Sequence, residues 1–471
     1  MTSPSPRTKA VILAAGLGTR MKSRLPKVLH PICGRPMLAY VVDAAWEATG
    51  AKPMIVYSAA TGQVRETFAE EAEFALQQEP RGTGDAVRAA LDALLPEIEE
   101  IVVLSGDVPL IEPGTIAHLL NHHRGQDDEW HVSSGTAAVM TLTTMEPPVP
   151  DGYGRILRAG ENGPIERVVE QKDGSSEELS IREVNAGLYS FDVAWLRTAI
   201  GRISPSTVTG EIYLPALVEL ARSDGKHVEL NDHQWWGELG GINDRVDLAD
   251  AEDEVRQSIR ERHMKAGVTI EQPISVFIDA TVEIEQDVTI ESNVILRGKT
   301  RIARDTVIKS GSQIIDSTIG ERCVIWASVI EASKIGNDVR IGPFAHLRSG
   351  CEIGDSAEIG NYAEQKNTRF GARSKQHHFS YLGDAEVGED VNIGAGVITA
   401  NYDGRAKHRT VIGNGAFIGS DTILRAPLTV GEGAYTGAGS VVTRDVPAGK
   451  LAVGVPARIR ERLQKSLTEE T

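Results

Sequence analysis

IGNDVR-IGPFAH-LRSGCE-IGDSAE-IGNYAE, residues 335–364, decides the fold of the C-terminal half. An aliphatic residue opens each block of six, and a glycine or another small residue usually follows. The beat returns as IGAGVI at residue 393 and runs from residue 412 as IGNGAF-IGSDTI-LRAPLT-VGEGAY. A period of six is too long for a helix face and is that of a parallel β-helix, each block forming one flat side of a coil. The opening aliphatics then stack inside, turn over turn. The glycine is expected to let the backbone bend at the corner without a Cβ clash. Two stretches leave the pattern. Residues 365–386 (QKNTRFGARSKQHHFSYLGDAE) crowd Lys, Arg, His and Tyr together, and residues 399–410 (TANYDGRAKHRT) lose the beat altogether. Insertions in solenoids collect on one face, often the one that binds.

At 471 residues the chain has room for two or more domains, each with its own core. A net charge of -17 argues against nucleic-acid binding. Aromatics are only 5% of residues while glycines number 47, as a β-helix requires. Cys33, Cys323 and Cys351 lie far apart, with no CxxC spacing, which favours reduced thiols over disulfides or a zinc site. The apolar run at 11–15 is too short for a signal peptide, and no stretch approaches the ~18 to 20 residues of a membrane span. The expectation is a cytoplasmic protein.

The N-terminal half alternates strand and helix patterns. AVILAA, residues 10–15, is a buried parallel strand that empties into Gly16-Leu-Gly-Thr-Arg20 and then Ser23-Arg-Leu-Pro-Lys27. A glycine-rich loop after such a strand offers backbone N–H groups to phosphate, and Arg20 and Lys27 add mobile positive charge. Neither the P-loop nor the dinucleotide fingerprint fits, since GK[ST] is absent and Met21 stands where the third glycine belongs. Helices are expected at 37–49 and 85–95, and strands at 54–59 and 101–104. The last ends in Ser105-Gly106-Asp107, an aspartate where open α/β sheets place their ligands and a hard oxygen donor for Mg²⁺. Polar loops follow at 76–84, 152–155, 169–172 and 184–187, and the domain closes near Gly240-Gly-Ile-Asn243. Residues 244–266 read as an amphipathic linking helix, with Val255 and Ile259 on its apolar side. Repeats start near Val268 and end near residue 456. Residues 457–471 (ARIRERLQKSLTEET) read as a short helix with a frayed tail.

LAAGLGTRMKSRLPKVLH, residues 13–30, resembles the signature of sugar-1-phosphate nucleotidylyltransferases. Together with the GTG loop, GDVPL, GYGRI and the hexapeptide half, the chain resembles the bacterial bifunctional N-acetylglucosamine-1-phosphate uridylyltransferase/glucosamine-1-phosphate N-acetyltransferase family from about residue 9 to residue 455. The resemblance implies a Rossmann-like α/β nucleotidyltransferase domain with a mixed, mostly parallel sheet (1–243) and a linker helix (244–266). A left-handed parallel β-helix of hexapeptide repeats (267–456) and a C-terminal tail (457–471) would follow. It implies that Leu13, Ala14 and Gly16 lie against the nucleotide of UTP, with Arg20 and Lys27 balancing its triphosphate. Gln77, Gly82 and Thr83 would recognise uracil, Gly154, Glu170 and Asn185 would hold the amino sugar, and Asp107 with Asn243 would bind Mg²⁺. In-line attack of a sugar phosphate on the α-phosphorus needs neutralised charge more than acid–base help.

For the second half, the resemblance makes His378, not His377, the base that deprotonates glucosamine-1-phosphate for direct attack on acetyl-CoA; an unperturbed imidazole pKa near ~6.5 suits that role. Arg348 and Lys366 would hold the phosphate, and Tyr381 and Asn392 the sugar. Ala395, Asn401, Tyr402, Lys407, Ser420 and Ala438 match positions that meet acetyl-CoA or shape its groove, with the Ala395 N–H as oxyanion donor. Where many relatives carry an Arg against the CoA phosphates, this chain reads LAVGVPAR at 451–458, leaving Arg444 or Arg458 to substitute. Cys351 sits in an ordinary repeat slot and reads as structural. The family reading also implies small-molecule partners, a homotrimer, and UDP-N-acetylglucosamine as product, a precursor of peptidoglycan and lipopolysaccharide-type glycans. Two rivals exist: a nucleotidylyltransferase with the coil as assembly module, and a regulatory subunit resembling the translation-initiation exchange factor. His378, Lys366 and Tyr381 in the broken repeat oppose the first, and the intact GLGTRM loop with Asp107 opposes the second.

Overall fold

The computed structural model describes residues 7–126, 135–160 and 163–461. The chain divides at Val255/Arg256, inside one long helix, into two compact units.

The first unit is built on the strands β1 (Thr8–Leu13), β2 (Met54–Ser58), β3 (Glu73–Gln77), β4 (Glu100–Ser105), β5 (Met140–Met145), β6 (Arg155–Arg158), β7 (Ile165–Val169), β8 (Val184–Asp192) and β9 (Val228–Asp232). Seven of them form one path in the order β9-β5-β8-β4-β1-β2-β3, and β6 joins β8 to β7 at its side. On that path only β8 runs antiparallel to its neighbours. The sheet is therefore mixed and mostly parallel. Val11, Val56, Ile101 and Val103 point into a core with Leu142, Phe191, Leu196, Leu214 and Leu217. The apolar runs at 10–15 and 101–104 became the two central strands because burial on both faces demands continuous hydrophobicity. Helices α1 (Met37–Thr49) and α2 (Thr83–Ala93) cover the sheet, and α2 starts two residues earlier than the pattern predicts. The linking helix runs Arg245–Lys265 with Val255 and Ile259 buried.

The second unit is a coil of three parallel sheets that together make the sides of a left-handed β-helix. Its interior is a set of side-chain columns. On the 12-stranded side, Ile290, Ile308, Ile325, Ile341 and Ile359 pair in succession, each one turn above the last. The turn between Ile393 and Ile418 is longer than its neighbours, and the surplus is the loop at 401–409 anticipated from the lost beat.

The glycine after each aliphatic has a different role from the one its position suggests. Gly354 and Gly413 do not adopt positive φ. A Cβ on either would come within 2.6 Å of the backbone nitrogen of Ala372 or Glu432 in the next turn. These glycines exist because successive turns approach too closely for a side chain. The left-handed conformation falls two residues later, at Asp338, Ser356, Arg373, Asp390 and Gly433. The C-terminal expectation is also corrected: Ala457–Arg460 is a strand, paired antiparallel with Leu451–Gly454, not helix. Val455-Pro456 turns the chain back, so the exposed edge of the last turn captures residues 457–460 as a hairpin. The rest of that predicted helix, from residue 462, lies outside the described residues.

Candidate active sites

In the first unit the glycine-rich loop leaves β1 at the carboxyl edge of the sheet. Ala14 N–H donates to Val56 O at 2.8 Å and Leu13 O accepts from Gly106 N–H at 3.0 Å, which pins the loop between β2 and β4. The N–H groups of Gly16, Leu17 and Gly18 have no partner among the described residues. Gly18 has φ 58° and packs directly on the Lys27 side chain. Lys27 forms a short ion pair with Asp107, and Arg20 Nη2 donates to Asn243 Oδ1 at 2.8 Å. Asp107 and Asn243 are also brought together through Ile242, whose N–H donates to Asp107 O at 2.9 Å. A carboxylate and a carboxamide oxygen, each facing a cationic side chain, make a place that demands positive charge. Such hard donors fit Mg²⁺ carrying phosphates.

The loop before α2 is stitched to a distant segment. Gly82 has φ 110°, and a Cβ there would lie 2.6 Å from Ile212 O. Thr83 Oγ1 accepts from Leu214 N–H at 2.9 Å. Gln77 Nε2 donates to Asp85 Oδ2 at 2.8 Å and to Gly82 O at 3.2 Å, so its amide nitrogen braces the loop and its oxygen remains as acceptor. Across the sheet, Asn185 N–H donates to Gly154 O at 2.9 Å, and Asn185 Nδ2 to the buried Tyr189 hydroxyl at 2.6 Å. Glu170 stands beside Gly154. Burial, reinforced by Asp173 and Glu211 and opposed by Lys172, pushes its carboxyl up to about 7.

In the coil, Arg348 pairs with Lys366 on the next turn, and Lys366 with Gly383 on the one after. Tyr381 lies on the same 10-stranded side, opposite Glu364. Arg348 Nη1 donates to Glu364 Oε1 at 3.1 Å. Lys366 is pulled below the ordinary lysine range, first by Lys407 from the 401–409 loop and then by Arg348, with Asp384 opposing. Three cations therefore converge on one patch. His378 occupies the corner between the 12-stranded and 10-stranded sides and is exposed. Its neighbour His377 is committed to Glu358, Nε2 to Oε2 at 2.8 Å. The same corner carries Ala395, Ser420 and Ala438 on the following turns. Backbone bonds run along it from Gly396 N–H to Phe379 O (2.7 Å), Asp421 N–H to Ala395 O (2.6 Å) and Gly439 N–H to Ser420 O (2.8 Å). The Ala395 N–H has no partner among the described residues.

Residues 10–158 match the MobA-like NTP transferase domain family, and residues 332–364 and 409–444 match the bacterial transferase hexapeptide family. The chain is 42% identical to the bifunctional protein GlmU of Shouchella clausii over 94% of its length and 95% of that protein's. It is 44% identical to GlmU of Bacillus velezensis over 96% of both chains. GlmU of Rubrobacter xylanophilus is 45% identical over 96% of this chain and 93% of its own. The chain belongs to the GlmU family. GlmU proteins are uridylyltransferase and acetyltransferase in one chain, and both the nucleotidyltransferase domain and the hexapeptide coil are present here.

Against the family pattern, the fold gathers most of the sequence-nominated residues but not all. Leu13, Ala14, Gly16, Arg20, Lys27, Asp107 and Asn243 meet at one edge of the nucleotidyltransferase sheet. Asn392 does not join Arg348, Lys366 and Tyr381: it lies on the 12-stranded side, paired with Lys375 and Phe417. Asn401 and Tyr402 sit past the opposite end of the 10-stranded strand, where Asn401 Nδ2 donates to Asp384 Oδ2 at 2.6 Å. Cys351 is buried with its thiol on Arg348 O at 3.0 Å, as a structural residue should be. Sequence reasoning missed Asp85, which holds Gln77, and Tyr153, raised in pKa by burial beside Gly241 and the Asp107 carboxylate. The GYGR motif was the available signal for Tyr153.

Proposed function

We propose that the coil acetylates glucosamine-1-phosphate from acetyl-CoA and that the N-terminal domain then uridylylates N-acetylglucosamine-1-phosphate from UTP. In the first reaction Arg348, Lys366 and Lys407 bind the phosphate, with Tyr381 and Asn392 on the sugar. His378 takes the proton from the amine, which attacks the thioester carbonyl, and coenzyme A leaves as its thiol. The free Ala395 N–H meets the oxyanion, while Asn401, Tyr402, Ser420 and Ala438 line the path of the acyl donor. The observation that carries this reading is the convergence of Arg348, Lys366 and Lys407 on one patch of the coil side whose leading corner carries an exposed imidazole. Glu364 and Asp384 answer only part of that positive charge, and the remainder calls for an anionic ligand.

In the second reaction the free N–H groups of residues 16–18, with Arg20 and Lys27, receive the triphosphate. Gln77, Gly82 and Thr83 face the base, and Gly154, Glu170 and Asn185 the sugar. Mg²⁺, held by Asp107 and Asn243, supplies charge neutralisation to the phosphates. Lys27 is then free to exchange its carboxylate partner for a phosphate. We further assign the protein to the cytoplasm as a homotrimer. Supporting the assembly, Trp326, Phe344, Tyr362 and Phe379 form an exposed aromatic edge, one per turn, leading into the His378 corner. No helix of the described residues is long and apolar enough to cross a membrane.

Product mass analysis from acetyl-CoA, glucosamine-1-phosphate, UTP and Mg²⁺ tests both reactions at once. His378→Ala is expected to abolish acetylation and leave UDP-sugar synthesis from pre-acetylated substrate; Asp107→Ala should do the reverse. Loss of both activities from one substitution in a folded protein would overturn the two-site assignment.

A further inference from the structure

Inside the coil, two glutamines join the smaller Thr399 and Thr436 in breaking the apolar columns. Gln376 takes the slot between Ile359 and Ile393, and Gln365 the slot between Leu347 and Leu382. Both are fully buried, and Gln365 Nε2 donates to Gln376 Oε1 at 2.7 Å. Gln365 Oε1 has no partner among the described residues. A coil built for stability alone would place aliphatic residues in both slots, because a buried amide with an unmet acceptor is a cost.

The pair leads somewhere. Gln376 Nε2 donates to Ser380 Oγ at 2.9 Å, and Ser380 Oγ donates to His378 O at 2.9 Å. That bond holds the one part of the corner that the neighbouring turns do not. His377 O accepts from Asn361 N–H and Phe379 O from Gly396 N–H, whereas the His378 backbone has no other hydrogen bond among the described residues. The corner also departs from its neighbours in shape. Tyr362, Gly396 and Asp421, the equivalent third residues of nearby turns, adopt the left-handed conformation, and Phe379 does not.

We infer that Gln365, Gln376 and Ser380 form an internal brace that sets the backbone of residue 378 and so aims its imidazole; they are positioning residues for acetyl transfer. The inference rests on His378 being the base. Gln376→Leu restores the apolar column but strands the buried Gln365 amide, so it should lower the melting temperature somewhat. Ser380→Ala cuts the brace at its last link with a minimal change of volume. Each is expected to lower kcat of acetyl transfer on the order of 10- to 100-fold, with KM for acetyl-CoA little changed and uridylyl transfer intact. Ser380→Thr, which keeps the hydroxyl, should recover most of the rate. The Gln376→Leu/Ser380→Ala double variant should be no worse than either alone, since both interrupt one path. Wild-type kcat in Ser380→Ala overturns the brace, even where Gln376→Leu fails to fold. His378→Ala run alongside separates the two ideas: if it still acetylates at the wild-type rate the base assignment falls, and if it is dead while the brace variants are normal only the brace falls.

Discussion

Lys27 and Asp107 are 80 residues apart in sequence and form an ion pair, as Arg20 and Asn243 form a hydrogen bond across 223 residues. Both cations are read from one loop, but that each faces one of the two nominated oxygen donors follows only from the parallel pairing of β1 with β4 and the Ile242–Asp107 backbone bond. Glu170 permits a quantitative test at the same scale. Its carboxyl titrates near 7 when folded and near 4.5 when unfolded. Between those values the folded chain holds a proton that the unfolded chain has released, so stability falls as pH rises through this window and levels off above it. The dependence is on the order of 3 kcal/mol. Glu170→Gln should therefore melt like the wild type near about pH 4 and above it near about pH 8, as followed by thermal denaturation across that range. A wild-type slope retained in the variant would assign the dependence to another group.

At the scale of elements, the six-residue beat predicted the coil, the columns and the loop at 401–409, because an inward aliphatic every turn is a sequence-local requirement; residues 365–386, expected to interrupt it, keep the coil's register with strands on all three sides. The reason for the glycines was not local. Gly413 and Gly433 stand one coil turn apart, at the second and fourth positions of similar blocks, and one is a close approach while the other is a left-handed corner with open space around it. Gly433→Ala should cost about 1 to 2 kcal/mol for its φ alone. Gly413→Ala carries no such φ cost but forces the backbone of Glu432 to move, which should cost up to about 3 kcal/mol. Urea unfolding of the two variants should rank them in that order; the reverse ranking would mean the turns can spread without strain. Residues 457–460 depart from the helical expectation for a related reason: the open edge of the last turn offers backbone partners that an isolated short helix lacks.

For the whole molecule, the two activities belong to two separately packed units, and each should survive the loss of the other's key residue. Asn392 faces a different side of the coil from Lys366, and an apolar aromatic edge is exposed beside His378. A neighbouring copy packed on that edge would both cover the aromatics and supply the missing face. Phe344→Glu, which also breaks the 5.5 Å stack with Tyr362, is expected to dissociate the assembly and remove acetyl transfer while uridylyl transfer persists. Sedimentation velocity with parallel assays checks this; a dissociated protein that still acetylates would show that one chain holds the complete site.

By itself the sequence determined the two architectures and nominated the Gly16–Lys27 loop, Asp107 and the His378 cluster. Strand burial, turn spacing and clustered charge are all written in neighbouring residues. Only the tertiary structure decided which nominated groups meet, why Gly354 and Gly413 must lack a side chain, and that Gln365 and Gln376 reach the corner of residue 378 from inside. Those facts depend on distances between turns and strands, and a linear chain does not record them.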